Sequence, residues 1–246
     1  MNDSAIFQYS LHLADNVLIL AQRNAEWCGH GPVLEQDIAI TNISLDLIGQ
    51  GRSLFQYAAS LKGGDATEDS LAYLRPEREY LNCLLVEQPN GDWAQTILRQ
   101  YLFSTYQYYL YKKLGSFDNE NLAAIADKAL REVTYHVRWS GEWVIRLGDG
   151  TDESKKRLVR ALEELWRYSG EMFMPAVYET ELNIPLSGIQ TEWQTHVNGV
   201  FEEAGIAAPS QTFMQSGGKT GRHTEHLGYI LTELQYLQRA YPGATW

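Results

Sequence analysis

The side chains of this 246-residue chain whose chemistry is most easily tested by spacing are its histidines: His12, His30, His136, His196, His223 and His226. In helical di-iron carboxylate proteins, two helices each supply a Glu-x-x-His pair and two others each supply one carboxylate. Hard oxygen and imidazole nitrogen suit iron, and the i, i+3 spacing puts both members of a pair on one helix face. Three residues upstream of the six histidines stand Tyr9, Trp27, Val133, Trp193, Thr220 and His223. No Glu-x-x-His pair is intact. His136 has Glu132 at i−4, an offset that shares a face but departs from the motif.

Other chemistries fail more simply. No glycine run is followed by the Lys-Ser/Thr of a phosphate loop, and there is no dinucleotide fingerprint. Cys28 and Cys83 are too far apart for a zinc knuckle and too few for a disulfide framework, so they read as thiols in a reducing compartment. The serines and threonines near histidines sit in helical contexts rather than in nucleophile elbows.

The elements that would position these residues are helices. From Ile6 the apolar positions Tyr9, Leu13, Val17 and Leu20 form a helix stripe. Gly29, Gly31 and Pro32 break the chain. A second helix runs from Leu34 through Ile38, Leu45, Ile48 and Phe55 and ends at Gly63-Gly64. Thr67 caps a short helix through Leu71 and Leu74, and Pro76 suits the first turn of another carrying Tyr80, Leu84 and Leu85. Asp92 caps a tyrosine-rich helix from Trp93 to Leu114. Asp118 or Asn119 opens a long helix through Leu122, Ile125, Ala129, Val133, Val137 and Leu147; Thr151 and Asp152 start one that ends before Pro175. Pro185 and Gly188 bracket a loop. A helix over Glu192 to Ala204, a polar loop from Pro209 to Gly221 and a last helix from Thr224 to Ala240 complete the chain. The expected fold is all-α, a four-helix bundle with additional C-terminal helices, and no linker divides residues 1–246 into two domains.

The composition narrows the setting. A net charge of −11 opposes binding to nucleic acid and to anionic membranes. Met1-Asn2-Asp3-Ser4 lacks the positive start of a secretory signal, and no apolar run approaches the ~20 residues of a membrane span. A cytoplasmic protein is expected.

Several segments carry a resemblance. Glu26-Trp27-Cys28-Gly29-His30, Leu45 to Gln50, Leu85-Val86-Glu87-Gln88-Pro89-Asn90-Gly91, Tyr135-His136-Val137-Arg138, Gly217-Gly218-Lys219 through Leu227, and Gln235 to Arg239 with Pro242-Gly243 resemble, end to end, the C subunits of the bacterial ring 1,2-phenylacetyl-CoA epoxidase complex. The resemblance implies a ferritin-like fold and a structural rather than catalytic role in phenylacetate degradation. It implies as partner a paralogous catalytic subunit that holds the di-iron site, and as further partner a small bridging subunit. It places NADPH, FAD and iron–sulfur chemistry in a separate reductase, and phenylacetyl-CoA at the level of the complex, with no cofactor in this chain. Mapped onto this sequence, the metal-ligand positions of that di-iron subunit fall at Glu26, Leu47, Gln50, Ser104, Val133 and His136, of which only Glu26 and His136 keep a ligand type.

These assignments carry definite expectations. Glu26 and His136 should meet as a buried pair, with binding of one metal ion as the alternative. Arg75, Arg78, Lys219 and Arg222 are local cations suited to coenzyme A phosphates or simply to solvent. By resemblance, Glu79, Tyr80, Leu81 and Asn82 lie near the coenzyme A end of a channel. The tyrosine-rich helix reads as core and interface, or as a radical path. The Gly217 to His226 stretch is either a binding loop or a partner-docked one. Two rival functions stay open: an independently catalytic di-iron oxidase and an acyl-CoA-binding module.

Overall fold

The computed structural model describes residues 3–210 and 212–244. Met1 and Asn2, read above for a targeting signal, lie outside the described residues, as do Gln211 of the polar loop, Thr245 and Trp246. Four long helices form a ferritin-like bundle: α1 (Asp3–Ala25), α2 (Leu34–Lys62), α5 (Trp93–Leu114) and α6 (Glu120–Asp149). α1 pairs with α2 and α5 with α6, and the two hairpins close on each other through α2 and α6. The crossover between the hairpins carries α3 (Glu68–Tyr73) and the one-turn α4 (Leu84–Glu87). After the bundle come α7 (Asp152–Ser169), α8 (Val177–Glu181), α9 (Leu186–Glu203), α10 (Glu225–Leu234) and α11 (Tyr236–Ala240). No strand occurs among the described residues, and no helix is long and apolar enough to cross a membrane.

Local rules set most ends. Thr67, Asp92, Asn119 and Thr151 each accept a hydrogen bond from a first-turn amide, satisfying donors that the helix itself cannot pair. Gly63 and Gly64 follow α2 with φ of 70° and 61°, where a side chain would be strained.

Four expectations are corrected. Leu34, Ile38, Leu45 and Ile48 do not face the core; α2 buries Ala39, Ile40, Ile43, Leu47, Leu54 and Ala58 instead. The helix expected after Pro76 is a 3-10 turn (Glu77–Glu79), an extended stretch from Tyr80 to Cys83, and then α4. Pro185 and Gly188 do not bracket a loop: α9 begins at Leu186, since proline's fixed φ suits a helix start. The last helix breaks at Gln235, whose side-chain amide donates to the Arg75 carbonyl and the Tyr80 hydroxyl, both at 2.9 Å. α8 was not expected at all.

The crossover is extended because α1 supplies its hydrogen bonds. Asp15 accepts from Leu81 N at 2.8 Å and Asn16 from Cys83 N at 2.8 Å, while His12 Nδ1 donates to Leu81 O at 2.7 Å. Arg75 pairs with both oxygens of Asp15. The C-terminal segments dock by the same device. Glu171 accepts from Leu84 N and Gly217 N, each at 2.7 Å. Glu87 accepts from Thr224 N and Oγ1 and meets His223 Nδ1 at 2.9 Å. Burial alone would lower the His223 pKa, but the Glu87 contact outweighs it and holds the ring above its ordinary value. Asp15, Glu87, Glu171 and Glu179 are all buried.

His12 Nε2 lies 3.8 Å from Glu179, an ion pair only if the ring is protonated. Burial pushes the His12 pKa down to about 4, so at neutral pH the contact is not ionic.

Two outcomes follow. Asp15→Ala leaves Arg75 buried without a counter-charge and should cost about 3–5 kcal/mol in urea denaturation at pH 7; a loss near zero would refute the pin. The unfolded chain protonates His12 below its ordinary value of 6.5 while the folded chain waits until about 4. Stability therefore falls as pH drops through that window, by about 3 kcal/mol at about 1.4 kcal/mol per pH unit. In His12→Gln this contribution to the pH slope should vanish.

Candidate functional site

The positions that map to metal ligands fall mostly inside the bundle. Leu47 and Gln50 stand one turn apart on α2, Val133 and His136 one turn apart on α6, and Ser104 on α5; all are buried. Glu26 lies just past the end of α1 and is about a third exposed.

The interior is an amide network. Gln50 donates to Glu132 Oε2 at 2.8 Å and accepts from Gln107 at 2.9 Å, and Gln107 also donates to the Tyr111 hydroxyl at 3.0 Å. Ser104 donates to the Gln100 carbonyl. Gln100 Oε1 in turn accepts from Asn24 at 2.7 Å. Leu47 and Val133 supply no donor atom.

The expected Glu26–His136 pair does not form. Glu26 accepts from Arg23 at 3.0 Å and from Asn90 at 2.8 Å. His136 Nε2 meets Asp46 Oδ2 at 3.0 Å instead. The reason is geometric: α1 ends at Ala25, so Glu26 leaves the helical path toward partners at the bundle's end. Asp46, on the neighbouring helix, was missed because spacing along one helix says nothing about a partner across it. Glu132, flagged at i−4 from His136, turns to Gln50.

This set does not fit a di-iron centre. Such a centre needs bridging carboxylates and two imidazoles. Here one imidazole is already bonded to a carboxylate that is itself more than a third exposed, and hydrocarbon occupies two of the mapped positions. Among the described residues no three His, Cys, Asp or Glu side chains are placed to hold a metal ion.

The cations assigned to coenzyme A divide. Arg75 is buried; besides Asp15 it donates to the Leu71 and Glu79 carbonyls, and it lies 4.3 Å from the Tyr80 ring centre. Lys219 is buried too, its Nζ within 3.0 Å of both Glu179 oxygens and of Met172 O. Both are anchors engaged with protein groups rather than open phosphate contacts, because a buried cation persists only beside a counter-charge. Tyr80 donates to Ala72 O at 2.6 Å, and Asn82 to Glu87 at 2.8 Å, so these also face inward; Leu81 is half-buried. Arg78, Glu79 and Arg222 are exposed. The loop holding Arg222 packs against the backbone of Arg78 at Gly221, where φ is 75° and a Cβ would lie 2.1 Å from the Arg78 carbonyl oxygen.

The tyrosines of α5 are largely core: Tyr101, Tyr106 and Tyr111 are buried, and burial pushes the Tyr111 hydroxyl up to about 12.

Comparison with known proteins agrees with this architecture. Residues 1–246 match the family described as phenylacetic acid catabolic protein. The chain is 44% identical over 243 residues to the C subunit of 1,2-phenylacetyl-CoA epoxidase from Escherichia coli (strain K12), covering 97% of this chain and 98% of that one.

The amide network makes its own prediction. Gln107→Leu strips Gln50 and Tyr111 of a donor and should cost about 1–3 kcal/mol. Gln50→Leu combined with Gln107→Leu should cost less than the sum of the single changes, since paired polar groups couple. Additive losses in urea titrations would show that the two amides act independently.

Proposed function

Taking as premise that the chain belongs to the phenylacetic acid catabolic protein family, we propose that it is the non-catalytic structural subunit of a ring 1,2-phenylacetyl-CoA epoxidase. In this reading it binds and stabilises the di-iron catalytic subunit in the cytoplasm. The observation that carries the proposal is the bundle interior, where Leu47, Val133 and Gln50, its amide bonded to Gln107 and Glu132, stand at mapped ligand positions. The di-iron subunit then performs the oxygen chemistry, and the reductase supplies electrons. Phenylacetyl-CoA is met at the level of the complex, and the small bridging subunit is a second protein partner.

The outward face of α2 supports the partner role. Leu34, Ile38, Leu45 and Ile48 lie on one side of that helix, and Leu34 is 72% exposed. Beside them a groove of about 350 Å³ opens between α2 and α6, lined by Leu45, Gly49, Ile125 and Ala129, with Asp46 and Glu132 among them. Exposed apolar side chains aligned on one side of a helix are unfavourable in water, which supports a partner-covered surface in this reading.

Co-expression with the di-iron subunit tests the reading. Leu34→Asp with Ile38→Asp should abolish co-elution while circular dichroism and melting of the free chain stay unchanged, because both side chains already face solvent. The purified chain should hold far less than one iron per molecule and turn over nothing alone. Stoichiometric iron with oxygen-dependent turnover in the absence of a partner would overturn the proposal.

A further inference from the structure

The C-terminal segment from Arg222 to Ala240 lies against the crossover with little apolar surface to hold it. α10 buries Leu227, Ile230 and Leu231, and α11 buries no residue. A segment with so few buried apolar contacts opens more easily than the bundle, so its polar contacts matter more. Gln235 holds the far end, and His223 and Thr224 hold the near end. The His223 side chain is buried, and both of its ring nitrogens face oxygen. Nδ1 meets Glu87 Oε2 and Nε2 meets the Tyr80 carbonyl, each at 2.9 Å.

Two acceptors on one ring fix its protonation. A carbonyl oxygen cannot donate, so Nε2 carries a proton. Glu87 already accepts from Thr224 N, Thr224 Oγ1 and Asn82 Nδ2. That is the pattern of a carboxylate, which has no proton to give Nδ1. Nδ1 therefore carries a proton too, and the ring is an imidazolium. Burial opposes this charge, but Glu87, the Tyr80 carbonyl and Asp15 on α1 outweigh it and hold the ring above its ordinary value of 6.5. The buried cations of the surrounding elements are committed to acids of their own: Arg75 to Asp15 and Lys219 to Glu179. Arg23, which donates to the Glu87 carbonyl, is paired with Glu26. Glu77 and Arg78 on the facing turn, and Arg222 and Glu225 on the segment itself, are exposed; His226 is half-buried.

We propose that residues 222–240 form a proton-gated latch, closed over the crossover while His223 is an imidazolium. Loss of the proton turns one ring nitrogen into a lone pair that faces an oxygen acceptor. It also leaves the buried Glu87 without its cation, which is costly in a dry site. The unfolded ring gives up its proton near 6.5, and the docked ring keeps it to higher pH. The latch is therefore fully closed below 6.5 and loosens as pH rises through the docked value. Opening uncovers Glu87 and the Tyr80 carbonyl. The bundle stays folded, because α1, α2, α5 and α6 are held by a separate apolar core. The latch does not depend on the structural role proposed above.

Two measurements on the full, unmodified chain test it. Nuclear magnetic resonance of nitrogen-15-labelled histidine should show protons on both His223 ring nitrogens at pH 6, lost with a midpoint above 6.5, while His12 is already neutral at pH 6. Hydrogen exchange, corrected for its intrinsic pH dependence, should lose at least tenfold protection in α10 as His223 gives up its proton, with α1 and α6 unchanged within twofold. His223→Gln, which carries no charge, should lose that protection at pH 6 and show no further loss up to pH 9. If this variant folds poorly, the two measurements on the unmodified chain decide alone. A His223 midpoint at or below 6.5, α10 protection that ignores the titration, or equal losses in α1 and α6 would each overturn the latch.

Discussion

A chain that joins two helical hairpins must cross over the bundle, and the crossover's buried peptide groups need hydrogen-bond partners that no regular element provides. Here the solution is a set of polar side chains on α1 turned toward the core. Asp15 holds Arg75 and the amide of Leu81, Asn16 holds the amide of Cys83, and His12 binds the Leu81 carbonyl. Glu87 and Glu171 extend the device to the C-terminal segments, and Glu179 holds Lys219. A carboxylate is costly to bury, but several backbone donors and one cation offset that cost, and the geometry they demand is specific. The extended backbone of Tyr80–Cys83, the 3-10 turn at Gly218–Thr220 and the break at Gln235 all follow from it.

That network separates the stability of the fold from the chemistry of its interior. A cluster of bare carboxylates among α1, α2, α5 and α6 would be unfavourable by several kcal/mol without a cation to bind. Leu47 and Val133 remove charge from that space, and the Gln107 amide nitrogen bonds Gln50 and Tyr111, while Gln107 Oε1 stays buried without a partner among the described residues. In the structural role proposed above, selection is then free to act on the outside of α2, where hydrophobic residues remain uncovered.

Rules that span one turn of helix were legible in the residues. The caps at Thr67, Asp92, Asn119 and Thr151 and the glycine end of α2 depend on contacts a few residues apart, and each stands where its spacing places it. The first helix stripe and the apolar positions of α6 were also readable, because those helices bury what their period suggests. α2 was not. Apolar residues occupy both of its faces, so periodicity alone could not say which one meets the core, and the face carrying Leu34 and Ile38 proved to be the outer one.

The sequence by itself determined the helical class, most helix boundaries and the absence of an intact Glu-x-x-His pair, because each depends on spacing along a single segment. Tertiary structure alone decided the partners. Asp15 meets Arg75 across 60 residues, and His136 meets Asp46 across 90. Glu26, expected inside the bundle, stands at its end with Arg23 and Asn90. The physical reason is that a buried charge is paired by whichever opposite group lies within a few ångströms, and that proximity is a property of packed helices, not of chain order.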